Sequence, residues 1–287
     1  MKHWARVGAV AAGGLAAGAA AAAAAGRILW DRDTARAVRR LGSTATRTGA
    51  EPARFSLDQL AGLPAPVRRY FEFALTPGRP LVRRARLGQQ GEFLSRPDGP
   101  WSPFTAAEHF AVMPPGFVWD ASIRIAPLVS VRVRDSYLEG EGAMLGKLGG
   151  LVPVVDVHGG PGIAEAALQR YLAEAVWLPT ALLPGAGVAW TAVDDTTARA
   201  TLADRGTSAW IEFRFAPGGE IAATSTERYR AVDGKQVLTP WVGRFWGYER
   251  VQGMMVPREG EVAWVLPEGR LPYWRGRVTG FAFEPAS

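Results

Sequence analysis

The stretch that most constrains the fold is residues 240–283, PWVGRFWGYERVQGMMVPREGEVAWVLPEGRLPYWRGRVTGFAF, which holds four of the eleven tryptophans: Trp241, Trp246, Trp264 and Trp274. Gln252-Gly253, Glu259-Gly260 and Glu268-Gly269 cut it at short intervals. β-branched and aromatic residues between such pairs predict three long antiparallel strands joined by tight turns. A meander of this kind is stable only when it packs against more sheet or a helix, so the chain must supply one or the other.

Upstream residues supply the sheet. Phe117, Trp119, Ala121, Ile123 and Ile125 alternate with Asp120, Ser122 and Arg124, and Val129, Val131 and Val133 alternate with Ser130, Arg132 and Arg134. This period of two predicts strands with one buried and one wet face. Glycine-rich residues 138–162 read as loops and short hairpins. Further strands are expected over 187–193, 196–204, 207–216 and 219–231. Residues 162–178 (GIAEAALQRYLAEAVWL) read as the one long internal helix, with Leu168, Tyr171, Leu172, Ala175 and Val176 on its apolar face. Glu165, Gln169 and Arg170 fall on the other face, where Arg170 and Glu174 read as an exposed i,i+4 ion pair. Ser56 and Gln59 form a capping-box pattern, and Pro66 suits the first turn of a short helix carrying Val67, Tyr70, Phe71 and Ala74. The expected fold is α+β: a curved antiparallel sheet of about ten strands, an open half-barrel, partly covered by one central helix and short N-terminal helices.

The N-terminus differs in kind. Lys2 and Arg6 precede an uncharged run, residues 7–26, made of Ala, Gly, Val and Leu. At about 1.5 Å per residue it spans roughly 30 Å, a bilayer core. It reads as a transmembrane signal anchor, with a cleaved signal peptide and a soluble Ala-rich helix as the alternatives, and Trp30 suits the membrane interface. The expected organisation is an anchor and basic helix over 1–42, a linker over 43–55 and a half-barrel domain over 56–287. The signal-like start places that domain extracytoplasmically. The arginines after the run, by the positive-inside rule, place it at the cytoplasmic face, and both orientations stay open.

Charge follows the same division. Residues 1–50 hold eight basic and two acidic side chains, which accounts for the whole net charge of +6. The remainder is balanced, which argues against nucleic-acid binding. The basic segment suits anionic headgroups instead. With no cysteine in the chain, disulfides, thiolate metal sites and a cysteine nucleophile are excluded.

Catalytic signatures are sparse. Asp156 and His158 share a strand face just before Gly159-Gly160-Pro161-Gly162, where a helix begins. The pair suits a hydrolase, the helix start an anion, and a hydrogen-bonded loop explains both without function. No G-x-S-x-G elbow is present, and Ser136 and Ser208 carry no supporting pattern. Only His3, His109 and His158 are available as imidazole ligands. Glu108, His109 and Asp156 form the one grouping to consider, and no metal motif is present. Glu259 and Glu261 lie on one strand face, opposite arginines. No nucleotide motif is present, so no cofactor is expected. The balance points to binding rather than catalysis. Aromatics on a half-covered sheet build apolar grooves, which nominates Trp119, Trp177, Trp190, Trp241, Trp246, Trp264 and His158 as ligand-binding residues.

Two segments, RYLAEAVWLPTALLP (170–184) followed by Trp190, and TPWVGRFWGYERVQGMMVPREGEVAW (239–264), resemble a bacterial family of unknown function: membrane-anchored or secreted proteins with an antiparallel half-barrel domain. The resemblance spans about 56–284. The fold it implies is similar to periplasmic lipoprotein carriers and lipid-binding lipoproteins, although this chain lacks their lipidated cysteine. It implies a membrane-tethered binding protein for a lipid or other apolar molecule and carries over no catalytic residue. The alternatives are a hydrolase using Asp156 and His158, or a structural envelope protein without ligand. No protein partner is implied.

Overall fold

The computed structural model describes residues 2–43, 53–232 and 235–285, with the side chains of residues 2–17, 19, 20, 161 and 231 outside that description. Helix α1 (Lys2–Ser43) comes first, followed by a 3-10 turn (Leu57–Leu60) and helix α2 (Ala65–Ala74). Six strands follow: β1 (Val82–Leu94), β2 (Trp101–Ala111), β3 (Gly116–Ala126), β4 (Val129–Leu138), β5 (Glu141–Leu148) and β6 (Val152–His158). Helix α3 (Pro161–Glu174) and three short 3-10 turns lead to β7 (Val188–Ala192), β8 (Thr197–Asp204), β9 (Thr207–Phe215), β10 (Ile221–Val232), β11 (Lys235–Val251), β12 (Met254–Leu266) and β13 (Gly269–Pro285).

The α+β architecture agrees with the sequence reading, but the sheet has thirteen strands rather than about ten. Two strands, β5 and β6, come from the glycine-rich segment expected to hold loops and short hairpins, and they pair as one hairpin. Glycine is needed there for close approach: a Cβ on Gly142 would lie 2.5 Å from the Ile163 carbonyl oxygen of α3. Likewise Glu259-Gly260 is no turn but the middle of β12. A Cβ on Gly260 would lie 3.3 Å from the Phe245 ring. The Gln252-Gly253 turn does join β11 to β12, with both residues at positive φ (49° and 91°), as a two-residue hairpin turn requires.

Sheet order is β6-β5-β4-β3-β2-β1-β13-β12-β11-β10-β9-β8-β7, antiparallel throughout. Two meanders are thus sewn together where β1 pairs with β13, Phe93 opposite Trp274. Helix α3 connects one edge of the sheet to the other and lies in its concavity against β3, β4, β5, β8, β9 and β10. Leu168, Tyr171, Leu172 and Val176 are fully buried there. At one corner the meanders meet directly, with Tyr137 donating to Asp204 Oδ2 at 2.9 Å.

Because the sheet wraps α3, much of the face expected to be polar is covered too, with Gln169 buried and Glu165 half-buried. Gln169 donates to the Glu227 carbonyl at 3.1 Å. The Arg170–Glu174 pair is internal rather than exposed: Arg170 bonds Glu174 at 2.8 Å and Asp135 at 2.6 Å, and lies 3.5 Å from Glu108. Gln89 donates to Glu108 at 2.7 Å and accepts from Trp119 Nε1 at 2.8 Å. Arg170 also stacks over the Trp119 ring, 4.8 Å from its centroid. Burial would lower the Arg170 pKa, but Glu174, Asp135 and Glu108 hold it above the ordinary value. Burial, then Glu174, pushes Glu108 well above the usual carboxylate range, and burial raises Asp135 despite Arg170.

The C-terminal half of α1 packs on the opposite, convex face over β2, β3 and β4. Trp30, expected to suit a membrane interface, packs on the sheet instead; it is 2% exposed, donates to Asp120 at 2.7 Å and lies beneath the guanidiniums of Arg132 and Arg134. Leu41 closes a second, small core with Ala111, Val118 and Leu138. Among the described residues no helix is long and apolar enough to cross a membrane, so the expected transmembrane helix is not found there. Most of residues 7–26 lies outside the described side chains.

Three outcomes follow from this packing. Arg170→Met leaves three internal carboxyl groups without their cation and is expected to cost about 3–5 kcal/mol in denaturant unfolding; a loss below about 1 kcal/mol contradicts the hub. Glu108 binds its proton more tightly folded than unfolded, so its contribution is complete in acid and fades as pH rises through the folded pKa. Wild type is therefore expected to lose stability relative to Glu108→Gln as pH rises above about 4, and parallel stability–pH curves refute this. Trp30→Ala is expected to cost about 3–5 kcal/mol if α1 is part of the folded domain, and no measurable loss shows that it is not.

Candidate apolar binding cleft

The nominated residues do not form one site. Trp119 and Trp177 are core residues; Trp177 is 2% exposed and packs edge-on to Phe245, with ring centroids 5.9 Å apart. Trp190 is half-buried against Phe213 and donates to the Leu182 carbonyl at 2.9 Å. Trp241 and Trp264 are paired across β11 and β12 and meet at Tyr273. Trp241 Nε1 donates to the Tyr273 hydroxyl at 2.8 Å, and Trp264 stacks on its ring. Trp246 is 44% exposed and donates to Glu259 at 2.9 Å.

His158 sits on edge strand β6, where Asp156 Oδ1 lies 3.1 Å from its Nδ1 and both side chains are mostly exposed. Ser136 is two strands away through Ala143, roughly 10 Å by strand spacing and beyond reach of the imidazole. Ser208 pairs with Ala203 on β8. Glu108 belongs to the Arg170 hub, and Glu261 bonds Arg270 at 2.6 Å. Among the described residues no three His, Asp or Glu side chains converge as a metal site.

The apolar opening lies elsewhere. A cleft of about 390 Å³ is bounded by Phe55, Leu75, Val82, Met254 and Phe283, with Thr180 beneath and Arg79 at its rim. Local chemistry places each wall. The turn Thr76-Pro77-Gly78 ends α2, and the chain folds back so that Phe55 N donates to the Arg79 carbonyl at 2.9 Å and Gly78 N to that of Phe55 at 2.8 Å. Thr76 Oγ1 donates to the Gly253 carbonyl at 2.8 Å and accepts from Arg250 at 3.2 Å, tying α2 to the β11–β12 turn. The left-handed Gly253 lets Arg79 lie close, for a Cβ there would be 3.3 Å from Arg79 Nε. Phe55, Leu75, Val82 and Met254 are buried, whereas Arg79 is exposed. Among the described residues neither Arg79 nor Arg250 has a carboxylate within ion-pair distance. Thr180 Oγ1 is buried without a hydrogen-bond partner.

Such a site can hold an apolar tail on its walls and an anion at its rim. Sequence reasoning missed it because its walls come from five separated parts of the chain and carry no motif. The one local signal was the turn chemistry around Gly78 and Gly253.

No curated protein matches the chain. Among solved structures it is similar to the LolA superfamily protein NE2245 from Nitrosomonas europaea. The identity is 11%, the match covers 78% of this chain and 94% of the other, and the TM-score is 0.36. That likeness bears on neither ligand nor activity. The model of a family of unknown function, DUF6920, matches residues 61–283, and with that match over most of its length the chain belongs to this family.

Proposed function

We propose that the protein is a membrane-tethered binding protein for an anionic amphiphile, held with its tail in the Phe55–Met254–Phe283 cleft and its head at Arg79. The observation that carries this reading is the pairing of buried apolar walls with an exposed guanidinium that has no carboxylate partner among the described residues. The volume lies within the range of about 300–1,000 Å³ common to small-molecule sites. Each buried methylene contributes about 0.8 kcal/mol, so a tail of about six contributes roughly 5 kcal/mol before ordering costs. A guanidinium binds carboxylate or phosphate in a forked, charge-assisted pair.

Residues 7–26 are the tether, an uncharged run of bilayer length, with the domain on the extracytoplasmic side. No second, catalytic reading is favoured, since the exposed Asp156–His158 pair lacks a nucleophile within reach.

In titrations of the full chain in nanodiscs with a fluorescent fatty acid, Met254→Trp is expected to fill the cleft and abolish saturable binding. Arg79→Ala, losing a charge-assisted contact of about 1.5–3 kcal/mol, is expected to weaken it about tenfold or more, and Trp246→Ala to leave it unchanged. Affinity indifferent to both cleft substitutions sinks the reading. For the tether, the full chain should stay with membranes through a carbonate wash; recovery of a shortened soluble form from cells argues for cleavage instead.

A further inference from the structure

We propose that the tips of the β3–β4 and β5–β6 hairpins, gathered around Gly26 of α1, form a rim that seats the domain on an anionic bilayer surface. The proposal rests on the membrane-tether reading above and extends it from the helix to the domain.

Three observations converge on this end of the molecule. The first is apolar exposure where folding gains nothing from it. Leu128, at the tip of β3–β4, is 105% exposed and adopts a left-handed backbone (φ 62°). That conformation costs an ordinary side chain roughly 1–2 kcal/mol, and glycine or asparagine would meet it more cheaply. Ile125 and Val129 flank it, also exposed. On the neighbouring hairpin Leu151, Val152 and Val154 are exposed, as are Ile28 and Leu29 on α1. Apolar exposure concentrated on these two tips and the adjoining turn of α1 marks a contact surface.

The second is the way α1 is fixed to the tips. Gly26 packs so closely on the β5–β6 turn that a Cβ there would lie 2.6 Å from both the Gly149 carbonyl oxygen and Leu151 Cγ, and Gly150 in turn approaches the Gly26 carbonyl. A cleft of about 630 Å³ lined by Arg27, Leu128 and Gly149 joins helix and both tips. Gly26 is the last residue of the apolar run. Fixing it to the tips sets them at the depth where the run leaves the hydrocarbon. Trp30, clamped on the convex face four residues later, keeps helix and sheet in one orientation.

The third is charge. Arg27, Arg124 and Lys147 surround the tips, and among the described residues neither Arg124 nor Lys147 has a carboxylate within ion-pair distance. Arg27 has only a long contact to Asp31, 3.9 Å. Apolar tips ringed by cations fit an interface of acyl chains and anionic headgroups, each basic residue near such a surface contributing about 1 kcal/mol.

The chain has no cysteine, so single-cysteine labelling tests this cleanly in the full-length protein. Leu128→Cys and Val152→Cys, both at exposed positions, carry the environment-sensitive fluorophore NBD. Met113→Cys, exposed at the opposite end of β2 and β3, is the control. The proteins are reconstituted into phosphatidylcholine vesicles with or without phosphatidylglycerol and with nitroxide-labelled acyl chains. The expected result is a blue shift, a severalfold rise in emission and nitroxide quenching at 128 and 152, stronger with phosphatidylglycerol and absent at 113. If the protein floats with vesicles but 128 and 152 remain as wet as 113, the tether stands and the rim is overturned. If it does not float, tether and rim both fall. A blue shift that depends on protein concentration without vesicles assigns the patch to a second copy and overturns the bilayer assignment.

Discussion

Arg170 is the group around which the interior is arranged. It sits on α3, the one element that travels from one sheet edge to the other, and reaches β2 through Glu108 and β4 through Asp135. An unpaired charge at that depth is prohibitive, so α3 has one acceptable rotation in the concavity. Tyr171, Leu172 and Val176 are thereby set on the sheet, and Trp177 is carried into the aromatic cluster with Phe245 and Trp274. Replacing such a network by apolar residues is often neutral or stabilising, so its role here is registration of helix on sheet rather than raw stability.

A fully packed α3 has a consequence for binding. The concave sheet surface is spent on the helix, and the apolar opening moves to the place where α2, the start of β1, the end of β13 and the β11–β12 turn converge. The convex surface is likewise taken, in part, by α1. The cleft at Met254 therefore opens at the margin of the core, from which Phe55, Leu75 and Val82 supply its walls, and the tips at Leu128 project from the sheet, so both can meet a ligand or a membrane without unfolding the domain.

Much of this was legible in the chain. Alternation in β3 and β4 separates Trp119 from Asp120 correctly because a one-residue slip would exchange the faces. Gln252-Gly253 is a turn because its backbone needs positive φ. Other glycines deceived: Gly142 and Gly260 mark close approach within strands, and sequence does not distinguish that need from a loop. The Arg170–Glu174 spacing is the same on a wet helix as on a wrapped one, so only the wrapping sheet reveals the hub. The tryptophans were grouped by type, whereas the fold divides them between core, the Tyr273 cluster and exposed surface. The cleft joins Phe55 to Phe283 across nearly the whole chain, a relation no local pattern carries.

The central functional claim, that an amphiphile lies at the end of the half-barrel and not beneath α3, is most directly tested by photo-crosslinking. A fatty acid with a diazirine on its chain, bound to the full-length protein and mapped by peptide mass spectrometry, should label Phe55, Val82, Met254 or Phe283, with competition by unlabelled fatty acid. Competed labelling at Trp119, Trp177 or other residues under α3, or no competed labelling at all, would contradict the account.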